Sequence, residues 1–463
     1  MSEVLQCVSP VDGRVFVERP IADEGEIAAA LDRAAAAASA WRATPIRERQ
    51  AILTRAVDYL GVDREEIALE LTWQMGRPAR QALGEINGFE ERARHMIAIA
   101  PEALADIEPL FQPGFTRFIR RVPLGLVFVV APWNYPYLTA VNAVWPALLA
   151  GNTVVLKHSH QTTLCAERFA AAFARAGLPE GVFQPLHLSH ESAAAFMRHE
   201  AVDFVAFTGS VVGGHAVQQA LSGRFAGAGL ELGGKDPAYV RHDADIEHAV
   251  ANLADGAFFN SGQSCCGIER IYLHEAVYDD FAAGLVMAAR DYKLGDPRRE
   301  DTNLGPMVRA EAADFVRGQI AEAVSAGAAP MVDPKSYRAD KEGTPYMAPQ
   351  VLVGVDHSMR VMTEESFGPV VGLMKVSSDE AAIALMNDSD YGLTAAIWTS
   401  DEEAAIAIGE RVETGTWFMN RCDYLDPALA WTGVKNSGRG CTLSSVGFEQ
   451  LTRPKSFHLR KVT

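Results

Sequence analysis

Apolar positions along this chain follow two different rhythms, and the change between them divides the molecule. Residues 28–38 are alanine-rich, and residues 47–60 and 64–75 repeat apolar side chains every three or four positions. That spacing predicts amphipathic helices through most of residues 24–104. From residue 124 onward, short β-rich runs take over. Residues 127–130, 153–156, 182–185 and 204–207 read as buried strands, with helix-favouring segments at 163–176 and 192–198 between them. Strands alternating with helices at this distance predict βαβ units and a parallel sheet covered on both faces. A second series of the same kind begins after Glu231. Its strands are expected at 237–240, 270–273, 370–374 and 416–419, and its helices at 246–258 and 277–290. A domain boundary is expected near Leu230.

Composition narrows the class. A chain of 463 residues exceeds what one hydrophobic core ordinarily serves, so two or three domains are expected. Forty-two Lys and Arg stand against 59 Asp and Glu, a formal charge of -17, which argues against nucleic acid or an anionic membrane as the main partner. The start, Met1-Ser2-Glu3-Val4, lacks the basic and apolar segments of a secretory leader, and no apolar run is long enough to span a bilayer. These features predict a cytoplasmic protein. The six cysteines are scattered, with neither disulfide nor metal-ligand spacing, so no metal site is expected.

Three short stretches carry candidate chemistry. Cys265 and Cys266 end the run Phe259-Asn260-Ser261-Gly262-Gln263-Ser264. A thiolate is a strong nucleophile; one of the pair can face a cleft while the other packs inward. Glu231, in Glu231-Leu232-Gly233-Gly234-Lys235, is either exposed on a turn or buried at a site, where burial would suit it to general-base work. Asn134, held between Pro132 and Pro136, reads as a turn-capping side chain or as a donor to an oxyanion. Lys157 at the end of one strand, and Thr208-Gly209-Ser210 with Gly213-Gly214 after another, stand where α/β proteins hold nucleotides. The dinucleotide G-x-G-x-x-G pattern is absent.

Taken together, these segments resemble the aldehyde dehydrogenase superfamily along nearly the whole chain. Besides the motifs around Asn134, Lys157, Ser210, Glu231 and Cys265, they include Glu365-Ser366-Phe367-Gly368-Pro369, Asn387 through Tyr391-Gly392-Leu393, and Lys435-Asn436-Ser437-Gly438. Cys265 follows Glu231 by 34 residues, similar to the family's spacing. The resemblance implies a three-part α/β fold: a Rossmann-like cofactor domain over 1–230 with arm strands near 113–125, and a catalytic domain over 231–425. A return segment and C-terminal oligomerisation arm would occupy 426–463, giving a homodimer or homotetramer.

The same resemblance implies oxidation of an aldehyde to a carboxylic acid with NAD or NADP. Cys265 would be the nucleophile, Asn134 and the Cys265 backbone N–H the oxyanion hole, and Glu231 the base that clears a thioester. Trp133, Lys157, His160, Gly209, Ser210, Gly214, Leu232, Glu365 and Phe367 would contact the cofactor. Tyr135, Leu138, Asn142, Ser264, Cys266, Arg421 and Trp431 would line the substrate tunnel.

Two departures from the family pattern matter. Where many members place a carboxylate after the strand lysine, this chain has His158-Ser159-His160. A carboxylate would repel a ribose 2′-phosphate, whereas His160 would not and, if protonated, would attract one; NADP is therefore expected to be tolerated. Where many members have a glutamate after Ser437-Gly438-Arg439-Gly440, this chain has Thr442. Arg421 would suit the carboxylate of a semialdehyde such as succinic semialdehyde, or else form a surface or structural ion pair. The rival activities are transfer of the acyl group to coenzyme A, against which Glu231 speaks, and a catalytically silent homologue.

Overall fold

The computed structural model describes residues 3–461; Met1, Ser2, Val462 and Thr463, at the two ends of the sequence reading, lie outside the described residues. Two helix-covered sheets dominate. Across the first, the strands run Phe183–Pro185, Thr153–His158, Leu126–Ala131, Val202–Thr208, Gly227–Glu231 and Gly438–Arg439. All pairs are parallel except the last, where Gly438 lies opposite Glu231. These central strands read as near-continuous apolar runs because both faces are covered. Ile46–Val62, Ala79–Ala103, Pro136–Ala150 and Leu164–Ala176 pack on one face. Glu24–Ala43, His190–Arg198 and Val211–Leu221 pack on the other.

The second sheet runs Ala329–Pro330, Gln350–Val353, Val370–Val376, Ile268–His274, Asp236–Val240, Thr394–Trp398 and Thr416–Met419. Only the two-residue edge strand Ala329–Pro330 is antiparallel. The helices expected at 246–258 and 277–290 appear as Ile246–Phe258 and Tyr278–Arg290, with Leu253, Phe258, Phe281 and Leu285 buried against this sheet.

Where the sheets meet decides where chemistry is possible. The first sheet's strand ends at Glu231 and the second sheet begins at Asp236, so four residues carry the chain across. Cys265 lies just before the strand Ile268–His274. Carboxyl ends of the first sheet thus face amino ends of the second, which gathers loops from both layers around one cleft.

A separate antiparallel ribbon joins Phe115–Pro123 to Thr452–Arg460, from Phe115 opposite Arg460 to Pro123 opposite Thr452. Phe118 and Phe457 stack across it at 4.4 Å. The N-terminal hairpin Val4–Val8 with Val15–Pro20 was not expected from the pattern, although Pro10 and Gly13, the latter at φ 74°, mark its turn. Among the described residues no helix is long and apolar enough to cross a membrane, and no group of His, Cys, Asp or Glu could hold a metal ion.

Candidate active site

Cys265 opens onto a cavity of about 400 Å³ between the helices Ala79–Ala103 and Pro136–Ala150. The first helix turns Gln81, Gly84, Glu85, Gly88, Glu91 and Arg92 toward it, a set repeating every three or four residues and therefore sharing one face. At Gly88 the helices approach so closely that a Cβ would lie 2.8 Å from Leu138. The second helix contributes Leu138 and Asn142, and Tyr135, Ser264, Cys266 and Trp431 complete most of the expected tunnel.

The two thiols differ sharply. Cys265 is partly exposed, whereas Cys266 is buried and donates to Asp423 Oδ1 at 2.9 Å. Its hydrogen bonding with Cys265, then burial and the Asp423 carboxylate, push the Cys266 thiol well above its ordinary range. At neutral pH Cys266 is a protonated packing residue. Asp423 also accepts from the Ser264 hydroxyl at 3.0 Å.

Asn134 and the Cys265 loop are tied together from beneath. Asn134 Nδ2 donates to the Gln263 carbonyl at 3.2 Å, which leaves its second N–H free. The Cys265 backbone N–H has no acceptor among the described residues. Asn260 Nδ2 donates to the carbonyls of both Asn134 and Gln263 at 3.2 Å. Below them lies Arg77, which the sequence reading passed over. Its guanidinium donates to the Asn134 carbonyl, to Asn260 Oδ1 at 3.1 Å and to Glu85, an ion pair buried with both members bonded. Glu85 in turn accepts the Tyr137 and Leu138 N–H groups at 2.9 and 3.0 Å, capping the start of Pro136–Ala150. Only the sequence Gly76-Arg77-Pro78 hints at this role, since Gly76, at φ 83°, ends one helix immediately before it.

Glu231 ends its strand beside Thr208. Thr442 donates to Glu231 Oε1 at 2.5 Å and Thr208 to Oε2 at 3.0 Å. Burial raises the carboxyl above its usual range, while the two hydroxyls and nearby Arg92 hold it down. Thr442 thus stands where the family pattern has an acid, and it works as a donor to Glu231. The turn after Glu231 runs so close to the Cys265 loop that a Cβ on Gly234 would lie 2.3 Å from the Cys265 carbonyl oxygen.

The residues expected to meet a dinucleotide cluster at the carboxyl ends of the first sheet. Lys157 is buried, which lowers its ammonium to about 8; its Nζ lies 3.4 Å from the His158 carbonyl. Ser210 caps the helix Val211–Leu221, accepting from the Gly213 N–H at 3.2 Å, and is itself exposed. Gly209 and Gly214 are packed against Phe207 and Leu232, at distances that leave no room for a Cβ. Glu365 accepts from the Gly234 N–H at 2.9 Å, and burial pushes its carboxyl up to about 8. Its loop is fixed by Glu269, which accepts from the Ser366 and Phe367 N–H groups and pairs with buried Lys235. Trp133 meets Phe367 edge-on at 5.6 Å. An open helix start, a buried lysine, a carboxylate held over glycines and an aromatic pair fit a nicotinamide dinucleotide.

Two expectations are corrected. Arg421 does not line the cavity; it is exposed, and its guanidinium stacks on the Tyr424 ring at 3.9 Å, while Asp423, Tyr424 and Leu425 line the cavity instead. His160 is not poised to attract a phosphate. Its Nε2 bonds the Leu188 carbonyl at 2.9 Å, and burial, with Lys157 and two further histidines, lowers it, so the ring is neutral near pH 7.

A profile of the aldehyde dehydrogenase family matches residues 1–457. The chain is similar to an aldehyde dehydrogenase of Paenarthrobacter nicotinovorans, at 36% identity over 93% of this chain and 94% of the other. It is also similar to the Escherichia coli succinate semialdehyde dehydrogenase [NAD(P)+] Sad, at 33% identity over 96% and 95%. Among solved structures, the succinic semialdehyde dehydrogenase of Streptococcus pyogenes in complex with NADP+ matches with a TM-score of 0.94 and 29% identity, covering 98% of this chain and 100% of that one.

Proposed function

The chain belongs to the aldehyde dehydrogenase family, it oxidises an aldehyde to a carboxylic acid with NAD(P)+, and from that premise we infer how its own residues divide the work. Cys265, as thiolate, attacks the aldehyde carbon. The free N–H of Asn134 and the Cys265 backbone N–H hold the oxyanion where charge develops. Bound NAD(P)+ supplies the electron sink that accepts hydride. Lys157, Ser210 and Glu365 hold the cofactor, with Trp133 and Phe367 against it. Cys265 is then left as a thioester. Glu231 removes a proton from the water that hydrolyses it, and the acid leaves with Cys265 regenerated.

The observation that carries this division is the contrast between the partly exposed thiol of Cys265 and its buried neighbour Cys266, whose thiol is spent on a hydrogen bond to Asp423. Cys265→Ala should abolish oxidation and Cys266→Ala retain most of it. Glu231→Gln should release one equivalent of reduced cofactor in a burst and then turn over slowly; normal steady turnover in that variant removes Glu231 from the mechanism.

For substrate, the reading is an aldehyde carrying a carboxylate at its far end, of the succinic semialdehyde class, supported by the names of the relatives and a cavity sized for a small molecule. Initial rates with succinic semialdehyde, aliphatic and aromatic aldehydes, each with NAD and NADP, test it; indifference to the carboxylate overturns it. The ribbon Phe115–Pro123 with Thr452–Arg460 is proposed as the arm of a homodimer or homotetramer, since among the described residues its Thr452–Arg460 edge pairs with no further strand and its other edge meets only the bridge of Ile119 to Ile107. Sedimentation as a monomer would refute that. The free cysteines, none paired, suit a cytoplasmic, reducing setting, which cell fractionation checks.

A further inference from the structure

The cavity carries polar groups that the thioester chemistry does not use. Arg92 lies on its wall, 8% exposed, and bonds through Nη1 alone: to the Leu138 carbonyl at 2.7 Å and to Asn142 Oδ1 at 3.4 Å. Its Nε and Nη2 have no acceptor among the described residues. Asn142, 2% exposed and lining the same cavity, has a buried Nδ2 with no partner. Of the other three buried arginines, Arg77 and Arg270 each bond through Nε, Nη1 and Nη2, whereas Arg49, which does not line the cavity, bonds through Nη1 alone. Unpaired buried donors are costly, and a guanidinium edge with two free N–H groups matches the two oxygens of a carboxylate.

The cavity also carries acids, and all of them but the exposed Asp255 have hydrogen-bond partners. Glu85 is taken by Arg77 and two backbone N–H groups. Glu91 accepts from the Tyr424 hydroxyl at 2.9 Å. Asp423 accepts from Ser264 and Cys266, and Glu231 from two threonines. What remains without an acceptor on the wall is the Nε and Nη2 edge of Arg92, whose charge also reaches Glu85 and Glu231.

Building on the semialdehyde reading above, we propose that Arg92, with Asn142 Nδ2 beside it, receives the carboxylate at the far end of the substrate while Cys265 meets the aldehyde. Arg92 is then the residue that makes a semialdehyde acid preferable to an uncharged aldehyde of the same length. It takes the role that the sequence suggested for Arg421.

The test compares succinic semialdehyde, butanal and 4-aminobutanal as substrates of the wild-type enzyme, Arg92→Leu and Arg92→Lys. In Arg92→Leu, kcat/KM for succinic semialdehyde should fall by about 10- to 100-fold, chiefly through KM, while butanal changes by less than about threefold. Arg92→Lys should recover part of the loss. An equal fall for both aldehydes assigns Arg92 a merely structural role and overturns the proposal. A wild-type enzyme that prefers butanal or 4-aminobutanal overturns the semialdehyde reading itself, which is a separate outcome. A second measurement needs no turnover: succinate should protect Cys265 of the wild-type enzyme from iodoacetamide at lower concentration than it protects Cys265 of Arg92→Leu. Equal protection of the two proteins also refutes the carboxylate site.

Discussion

At the scale of single residues, the chemistry depends on how each group is held as much as on which group it is. Glu231 is buried enough to be raised, yet it accepts a 2.5 Å hydrogen bond from Thr442 that favours its charged form. Thr442→Val removes that donor, so the carboxyl should rise further. The acid limb of acyl-enzyme hydrolysis, followed in single turnovers against pH, should move to higher pH, as expected for loss of a hydrogen bond to a charge. An unmoved limb would leave Thr442 a packing residue. The nucleophile, base and oxyanion amide were legible in the sequence because each sits in a distinctive local motif. Arg77, Arg92 and Asp423 were not, since a lone charged residue in a helix or loop ordinarily belongs to a solvated face. Only tertiary packing shows that Arg77 and Arg92 are buried and that Asp423 meets both Ser264 and Cys266.

At the scale of elements, the loop Glu365–Phe367 is stabilised against its own charge. Glu269 and Lys235 fix its backbone and bring the Glu365 carboxyl against Gly233 and Gly234. With its carboxyl pushed up to about 8 from 4.5, the native protein without cofactor binds a proton there that the unfolded chain has released. Both states are protonated below pH 4.5 and both are ionised above 8. Stability is therefore lost as pH rises between these values. Glu365→Gln should flatten that part of the Tm-against-pH curve; an unchanged slope would show that Glu365 ionises freely. Strand and helix positions were largely readable, because apolar runs of four to seven residues and alanine-rich repeats carry strong periodic signals. The N-terminal hairpin was not, since its strands are half exposed and short. Arg421 was misplaced for a related reason. Its loop has no periodicity, so the sequence did not reveal which of Arg421, Asp423 and Tyr424 faces inward.

At the scale of the whole molecule, the alternation of strand and helix announced two layers, but not how they are joined. The crossing from Glu231 to Asp236 is only four residues long and is stitched from several sides. Leu232 donates to the Ser437 carbonyl, Gly234 to Glu365, and Lys235 to Glu269 and Ser366. Ser437, which donates to the Gly233 carbonyl at 2.7 Å and accepts from the Gly392 N–H at 3.0 Å, draws the returning chain into the same knot. A junction fastened in this way has no slack to act as a hinge. The two layers are then obliged to melt as one cooperative unit, although each has a core of its own. On heating, loss of catalysis, of Cys265 protection and of secondary structure should share a single midpoint, and an early loss of activity alone would mean that the knot loosens first. In use, the enzyme should then lose what both sheets contribute to the site together, at that one midpoint.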